Sequence, residues 1–254
     1  MGAGVTSILM YHSVSDRGGA TSIAPKVFAM QMRVLAESGV AVLSLDDWLA
    51  AREAGHLPAR SVVITFDDGF QDFAEAAWPA MRRQGFVPIV YLPTGLVGKA
   101  EDWRGIASPP RSLMGWDTIR ALSAEGVLFG SHTVSHPDLT AMSLADARCE
   151  LVRAQVAIED RLGRPVQHFA PPYGLSSPEV RAEIAGLYRT SVGTRLGEAG
   201  RGADLHDLPR LEMFYFTDER RWRDHLAGRG AAYLARRRLM RSVKARLMRP
   251  WAGL

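Results

Sequence analysis

The 254-residue chain is 47% hydrophobic and 23% charged, values that suit one large α/β domain with a sizeable core, and no apolar run in it is long enough to cross a bilayer. Its single cysteine, Cys149, excludes an internal disulfide framework and any multi-cysteine metal site; lying in a helical pattern, it reads as a small buried filler. The formal charge of +4 is uneven, because residues 229 to 254 hold eight of the 31 Lys and Arg and no acid, leaving 23 basic against 27 acidic residues elsewhere.

Taken in chain order, short apolar runs alternate with helical patterns. "TSILMY" (6 to 11) reads as a first strand. "PKVFAMQMRVLAESG" then opens a helix with Pro25 near its first turn and closes it at Gly39. Strands follow at 40 to 44, 62 to 66, 87 to 92, 126 to 131, 167 to 171 and 187 to 192, and a helix runs from a Ser143 cap to Gly163. This alternation calls for a parallel sheet with right-handed crossovers, and about seven units suggest a (β/α) barrel; an open doubly wound sheet is the alternative, although no Gly-x-Gly-x-x-Gly follows the first strand. Residues 93 to 111 form a long Gly- and Pro-rich loop in which Trp103 is a candidate floor for a substrate groove. One domain spans residues 1 to 228, with a basic helical tail over 229 to 254.

Three stretches carry chemistry. In "VVITFDDGF" a dry strand ends in two adjacent carboxylates, Asp67 and Asp68, which repel each other and resist desolvation. They either cap a helix beginning near Phe70, which accounts for one of them, or meet a cation. In "GSHTVSHPDL" His132 and His136 stand four apart after a strand, a spacing that puts both imidazoles on one side of a helical turn. Two imidazoles and one carboxylate form a common catalytic zinc set: Asp68 would be neutralised as a ligand, and Asp67 would stay ionised beside it as a general base. Gly69 gives the backbone freedom to turn the carboxylates apart. In "HFAPPYGL", Pro171 and Pro172 offer no N–H, so Tyr173 supplies the first free donor after the strand, able to face a developing oxyanion.

"TFDDG", "HTVSHP" and "PPYG", in that order and each at a strand end, resemble the polysaccharide deacetylases of carbohydrate esterase family 4, the NodB-homology group. "ILMYHSVSD", "GWDTIRAL" and "LPRLEMF" extend the resemblance over most of residues 6 to 216. It implies a distorted (β/α) barrel that removes N-acetyl groups from amino sugars. Asp68, His132 and His136 would hold the metal, Asp67 would take a proton from the attacking water, and the Tyr173 N–H would hold the oxyanion. Where many members have an arginine that orients the base aspartate, this chain has Ala170, and Arg210 in "LPRLEM" is the substitute. No late Leu-x-His motif supplies an acid, so His12 is the candidate and His206 its rival, histidine suiting the task by its near-neutral pKa. His56, His168 and His225 are assigned to the surface or the core.

The expected partner is an N-acetylated glycan: an exopolysaccharide, a peptidoglycan or a lipid-linked precursor. Zinc is the first expectation for the metal by ligand preference, with cobalt, nickel and iron fitting the same donors. Two other readings use the same residues, a non-haem iron enzyme with an Asp/His/His triad and a catalytically silent glycan-binding barrel. Nucleic acid is not expected, since the basic groups stay on one terminal segment without an aromatic platform. With no secretory leader visible, the expectation is a cytoplasmic protein, its basic tail either touching an anionic membrane or lying solvated, Arg237 and Lys244 interrupting the apolar face of Tyr233, Met240, Val243 and Leu247.

Overall fold

A computed structural model describes residues 4–19, 21–103 and 109–248, with side chains to residue 243. Seven parallel strands close a barrel: β1 (Val5–Tyr11), β2 (Arg60–Phe66), β3 (Ile89–Leu92), β4 (Leu128–Ser131), β5 (His168–Phe169), β6 (Thr190–Leu196) and β7 (Leu208–Glu212). Closure comes from β1, which pairs with β2 from Val5↔Arg60 to Tyr11↔Phe66 and with β7 at Leu9↔Leu211. That pairing removes the sheet's edges and excludes the open doubly wound alternative.

Period-two alternation sorts the side chains into two cores. Ile8, Val63, Tyr91 and Val192 fill the barrel interior, where Trp48 of the helix Leu45–Glu53 forms a floor, its indole N–H donating to Thr6 Oγ1 at 2.8 Å. Leu9, Val62, Ile64, Phe66 and Leu92 face outward against the surrounding helices. Ser44 caps the floor helix by accepting from the Asp47 N–H at 3.0 Å.

The barrel is distorted because neighbours change along single strands. The lower end of β2 pairs with the two-residue strand Ala41–Val42 and its upper end with β3; the lower end of β1 pairs antiparallel with Ala199–Gly200 and its upper end with β7. So the strand expected at 40 to 44 is real only at Ala41–Val42, half-buried and outside the ring. The seventh ring member is β7, whose Pro209, Arg210 and Glu212 hid it from an apolar-run reading. The strand expected from 187 begins at Thr190, since the helix Pro178–Leu187 occupies its first residue.

Cys149 is exposed, contrary to its reading as a buried filler. The helix Leu144–Leu162 buries Ala147, Leu151, Ala154 and Ile158, and a residue two positions from Ala147 falls on the opposite side. The basic tail continues as a helix, Ala231–Met248, that is neither free nor uniformly amphipathic. Leu234 is buried, Tyr233 donates its hydroxyl to the Tyr215 carbonyl at 2.9 Å, and the Arg237 guanidinium lies 4.5 Å over the Tyr215 ring. Met240 and Val243 instead point to solvent, so the apolar face expected to include Tyr233 is split between barrel and solvent; Leu247 lies outside the described side chains. Among the described residues no helix is long and apolar enough to cross a membrane.

Candidate active site

The inward alternation of β2 through Val63 and Thr65 carries one residue past the strand to Asp67, whose N–H continues the ladder by donating to the Tyr11 carbonyl at 2.9 Å. Asp68 then takes a left-handed backbone, φ 71°, followed by Gly69 at φ 69°. The turn that separates the carboxylates therefore starts at Asp68 itself. Gly69 completes it where a Cβ would sit 2.7 Å from Leu92 Cδ2.

Asp68, Thr133, His136 and Tyr173 are the non-glycine residues with positive φ among the described residues, and all four lie at the C-terminal mouth of the barrel. Such conformations cost about 1–3 kcal/mol each and persist where surrounding structure imposes them. They also correct the expected geometry of the histidines. His132 and His136 follow β4 in a loop, and the left-handed turns at Thr133 and His136, not a helical turn, bring the rings together at 4.9 Å. Glu150 ties that loop down, accepting from the Val134 N–H at 2.8 Å and the Ser135 N–H at 2.9 Å.

One atom each of Asp68, His132 and His136 lie within 4.8 Å of one another, and all three residues are buried. His132 Nδ1 is 2.6 Å from the Ala170 carbonyl; a carbonyl only accepts, so Nδ1 carries a proton, and Nε2, 3.3 Å from Asp68 Oδ1, is the ring nitrogen left to meet the carboxylate or a cation. His136 Nε2 lies 3.4 Å from the same oxygen, and its ring stacks on Trp103 at 4.3 Å between centroids. Burial pushes the Asp68 carboxyl up, but the two imidazoles outweigh it and hold the group far below the carboxylate range. The rings shift oppositely. Burial presses both down; at His132 the Asp68 contact and the nearby Asp67 charge prevail and raise it, whereas at His136 burial wins. Two imidazole nitrogens and a carboxylate oxygen converging this closely suit a divalent cation of borderline softness.

Asp67 stands outside that trio. Arg210, 1% exposed, forks onto it with Nη1–Oδ1 and Nη2–Oδ2 both at 2.7 Å, and spends its other donors on Thr65 Oγ1 and the Gly193 carbonyl. Burial alone would push the Asp67 carboxyl up; the guanidinium more than offsets this and holds it below the usual range, ionised. Both aspartates are thus engaged by Arg210 and the imidazoles instead of capping a helix. Ala170, where the resemblance expects an arginine, is fully buried and serves His132 through its carbonyl.

A cavity of about 290 Å³ opens over these groups and is lined by His12, Asp67, Asp68, His132, His136 and Tyr173, among others. His12 Nε2 is 3.8 Å from Asp67 Oδ2. His206 lies just before β7 at the opposite end of the barrel, its Nε2 3.0 Å from the Tyr188 carbonyl, so of the two rival acids only His12 is at the mouth. The Pro-Pro-Tyr-Gly turn is closed by the Gly174 N–H on the Pro171 carbonyl at 2.9 Å, with Tyr173 at φ 59° and its ring edge-on to His136. Trp103 lines the cavity, while residues 104–108 of its loop lie outside the described residues.

Arg111, Thr194, Glu212 and Arg241 also line this cavity, and the sequence reading missed them. Arg111 is buried, paired with Glu101 at 2.7 Å and 4.0 Å over the Phe70 ring, which pins the long loop to the mouth. No spacing marks such contacts. Glu212 was visible only as the residue two after Arg210, which on a strand shares its face.

The sequence profile described as "Polysaccharide deacetylase" matches residues 54–190, just over half of the chain. YxkH of Bacillus subtilis (strain 168) is 23% identical over 209 residues, 81% of this chain and 70% of its own length. The chitooligosaccharide deacetylase of Bradyrhizobium sp. (strain ANU 289) is 30% identical over 127 residues, 50% of this chain, and the alignment spans only 52% of that protein. The Streptococcus pyogenes deacetylase PplD, solved in complex with acetate, superposes with a TM-score of 0.73 at 25% identity, covering 83% of this chain and 92% of that one.

Proposed function

The chain belongs to the polysaccharide deacetylase family, and from that premise we propose that it is a metal-dependent hydrolase releasing acetate from N-acetylated amino sugars of a glycan. The observation that carries this reading is the converging trio Asp68, His132 and His136, with Asp67 beside it but tied to Arg210. A divalent cation held there, zinc by ligand preference, would polarise the amide carbonyl and acidify a water. Asp67, kept ionised by Arg210, accepts the proton of the attacking water. Tyr173 offers its backbone N–H to the developing oxyanion, and His12 returns a proton to the departing amine. An ionised aspartate next to the ligands is what hydrolysis requires, and it gives the non-haem iron and silent-barrel readings no support.

Acetate release from a panel of N-acetylated oligosaccharides and lipid-linked sugars, with and without chelator, tests the proposal. Release abolished by chelator and restored by zinc is expected; chelator-insensitive release would remove the metal from it. Asp67→Asn is expected to retain metal and lose turnover by at least about a hundredfold.

The exposed Leu239, Met240 and Val243, beside exposed Arg236 and Arg238 on a helix with no acid, fit the surface of an anionic bilayer and favour a glycan carried there. Sedimentation with phosphatidylglycerol vesicles checks this: Leu239→Ser with Val243→Ser is expected to lose binding, and unchanged binding would refute the contact.

A further inference from the structure

Among the cavity-lining residues, Arg241 lies farthest from the matched segment. Arg241 sits in the helix Ala231–Met248, on the side that faces the barrel together with Leu234 and Arg237, and reaches the cavity holding the ligand trio. Its Nη2 donates to the Thr194 carbonyl at 3.2 Å, and its Nη1 stands 3.5 Å from Glu212 Oε2. Thr194 lies in the bulged part of β6, packed against Gly174 of the Pro-Pro-Tyr-Gly turn so closely that a Cβ there would strike its side chain. Gly174, Thr194, Arg241 and Glu212 therefore form one continuous wall that begins beside Tyr173.

We propose that Arg241 and Glu212 act as a pair that reads the hydroxyls of the amino sugar, which makes the C-terminal helix part of the substrate site. The pair is poorly built for stability: it is long, and its side chains are 39% and 26% exposed, a setting in which ion pairs contribute little. It is well built for a polyol. A guanidinium donates, a carboxylate accepts, and both side chains line the cavity across a loose contact, with Tyr215 as a further neighbour of Glu212. Charge argues for neutral hydroxyls over an anionic group, because the lining cations are already balanced: Arg111 by Glu101, and Arg241 by Glu212 itself. The inference rests on the proposed glycan substrate.

The test compares 1,6-linked N-acetylglucosamine and N-acetylgalactosamine oligomers, whose residues differ in the orientation of the C4 hydroxyl, on the zinc-loaded protein. The wild type is expected to prefer one of them. In Arg241→Ala and in Glu212→Gln the KM for that sugar is expected to rise about tenfold with kcat within about threefold, and the preference is expected to shrink toward unity. Ser242→Ala, at an exposed position of the same helix, should change neither. A pair serving only to hold the helix would lower the Tm and leave the preference intact, and that result overturns the inference, as does a wild type that does not discriminate. Calorimetric Kd values for the same sugars give the comparison independently of acetate release, so a protein that binds with the expected preference but releases no acetate would overturn the proposed function and sustain the reading of this pair.

Discussion

The two ends of the barrel use the same residue types to opposite ends. At the floor, His168 of β5 is satisfied on both nitrogens, Nδ1 against Thr190 Oγ1 and Nε2 against Asp46 Oδ1, each at 2.8 Å. At the mouth, His132 has one nitrogen engaged by a carbonyl while the other faces Asp68 at 3.3 Å, and His136 Nδ1 has no hydrogen-bond partner among the described residues. The non-glycine residues of positive φ crowd the mouth and are missing from the floor among those described. A histidine that completes its hydrogen bonds is doing structural duty. A histidine that leaves a ring nitrogen facing a buried carboxylate in an open cavity has no such structural duty to account for its place, which is what the proposed metal site would explain.

The sharpest way to break that contrast is to make one substitution at each end. His132→Gln is expected to remove bound zinc and lower turnover by about a thousandfold while leaving the metal-free Tm within a few degrees, whereas His168→Gln should keep metal and cost about 1–3 kcal/mol, read by denaturant unfolding and metal analysis. Equal metal loss in both would erase the distinction. Next in size, Arg210→Met strands the buried Asp67 charge and is expected to cost about 3–5 kcal/mol of unfolding free energy, whatever the metal content.

A third histidine, on the outer wall, tests burial set against a nearby carboxylate, Glu198 Oε1 standing 3.7 Å from its Nε2. His225, with Nε2 2.9 Å from Ser7 Oγ, is pushed down to about 4 by burial. The unfolded chain, with an imidazole near 6.5, takes up the proton first as pH falls, so this contribution is complete above about pH 6.5 and is lost as pH drops through 4. It amounts to about 3 kcal/mol, and His225→Gln should flatten the fall in Tm between those limits. The smallest effect belongs to the floor's own acid. Asp46 is held below its ordinary pKa by its hydrogen bond to His168, but its side chain is 42% exposed, so Asp46→Asn should cost under about 1 kcal/mol.

Much of this is legible in the amino-acid sequence. Buried parallel strands announce themselves as apolar runs, which marked six of the seven ring members, and the Asp-Asp, His-x-x-x-His and Pro-Pro-Tyr motifs stand directly at their ends. Strand β7 escaped because its interior face is polar: Arg210 and Glu212 point into the mouth, where side chains serve charge instead of packing. Cys149 was misread because the helical pattern leaves the phase of a single small residue open.

The amino-acid sequence by itself determined the barrel class and set Asp67, Asp68, His132 and His136 at the ends of its strands, because those depend on short-range patterns of polarity along the chain. Only the tertiary structure decided how cations meet acids: the family resemblance nominated Arg210 for Asp67, but neither its forked geometry nor the Arg241–Glu212 pair could be read along the chain. Arg210 forks onto Asp67 from 143 residues away, and Arg241 crosses from the terminal helix to Glu212. Ion pairs are made by distance in space, and barrel closure sets that distance without leaving a local signature.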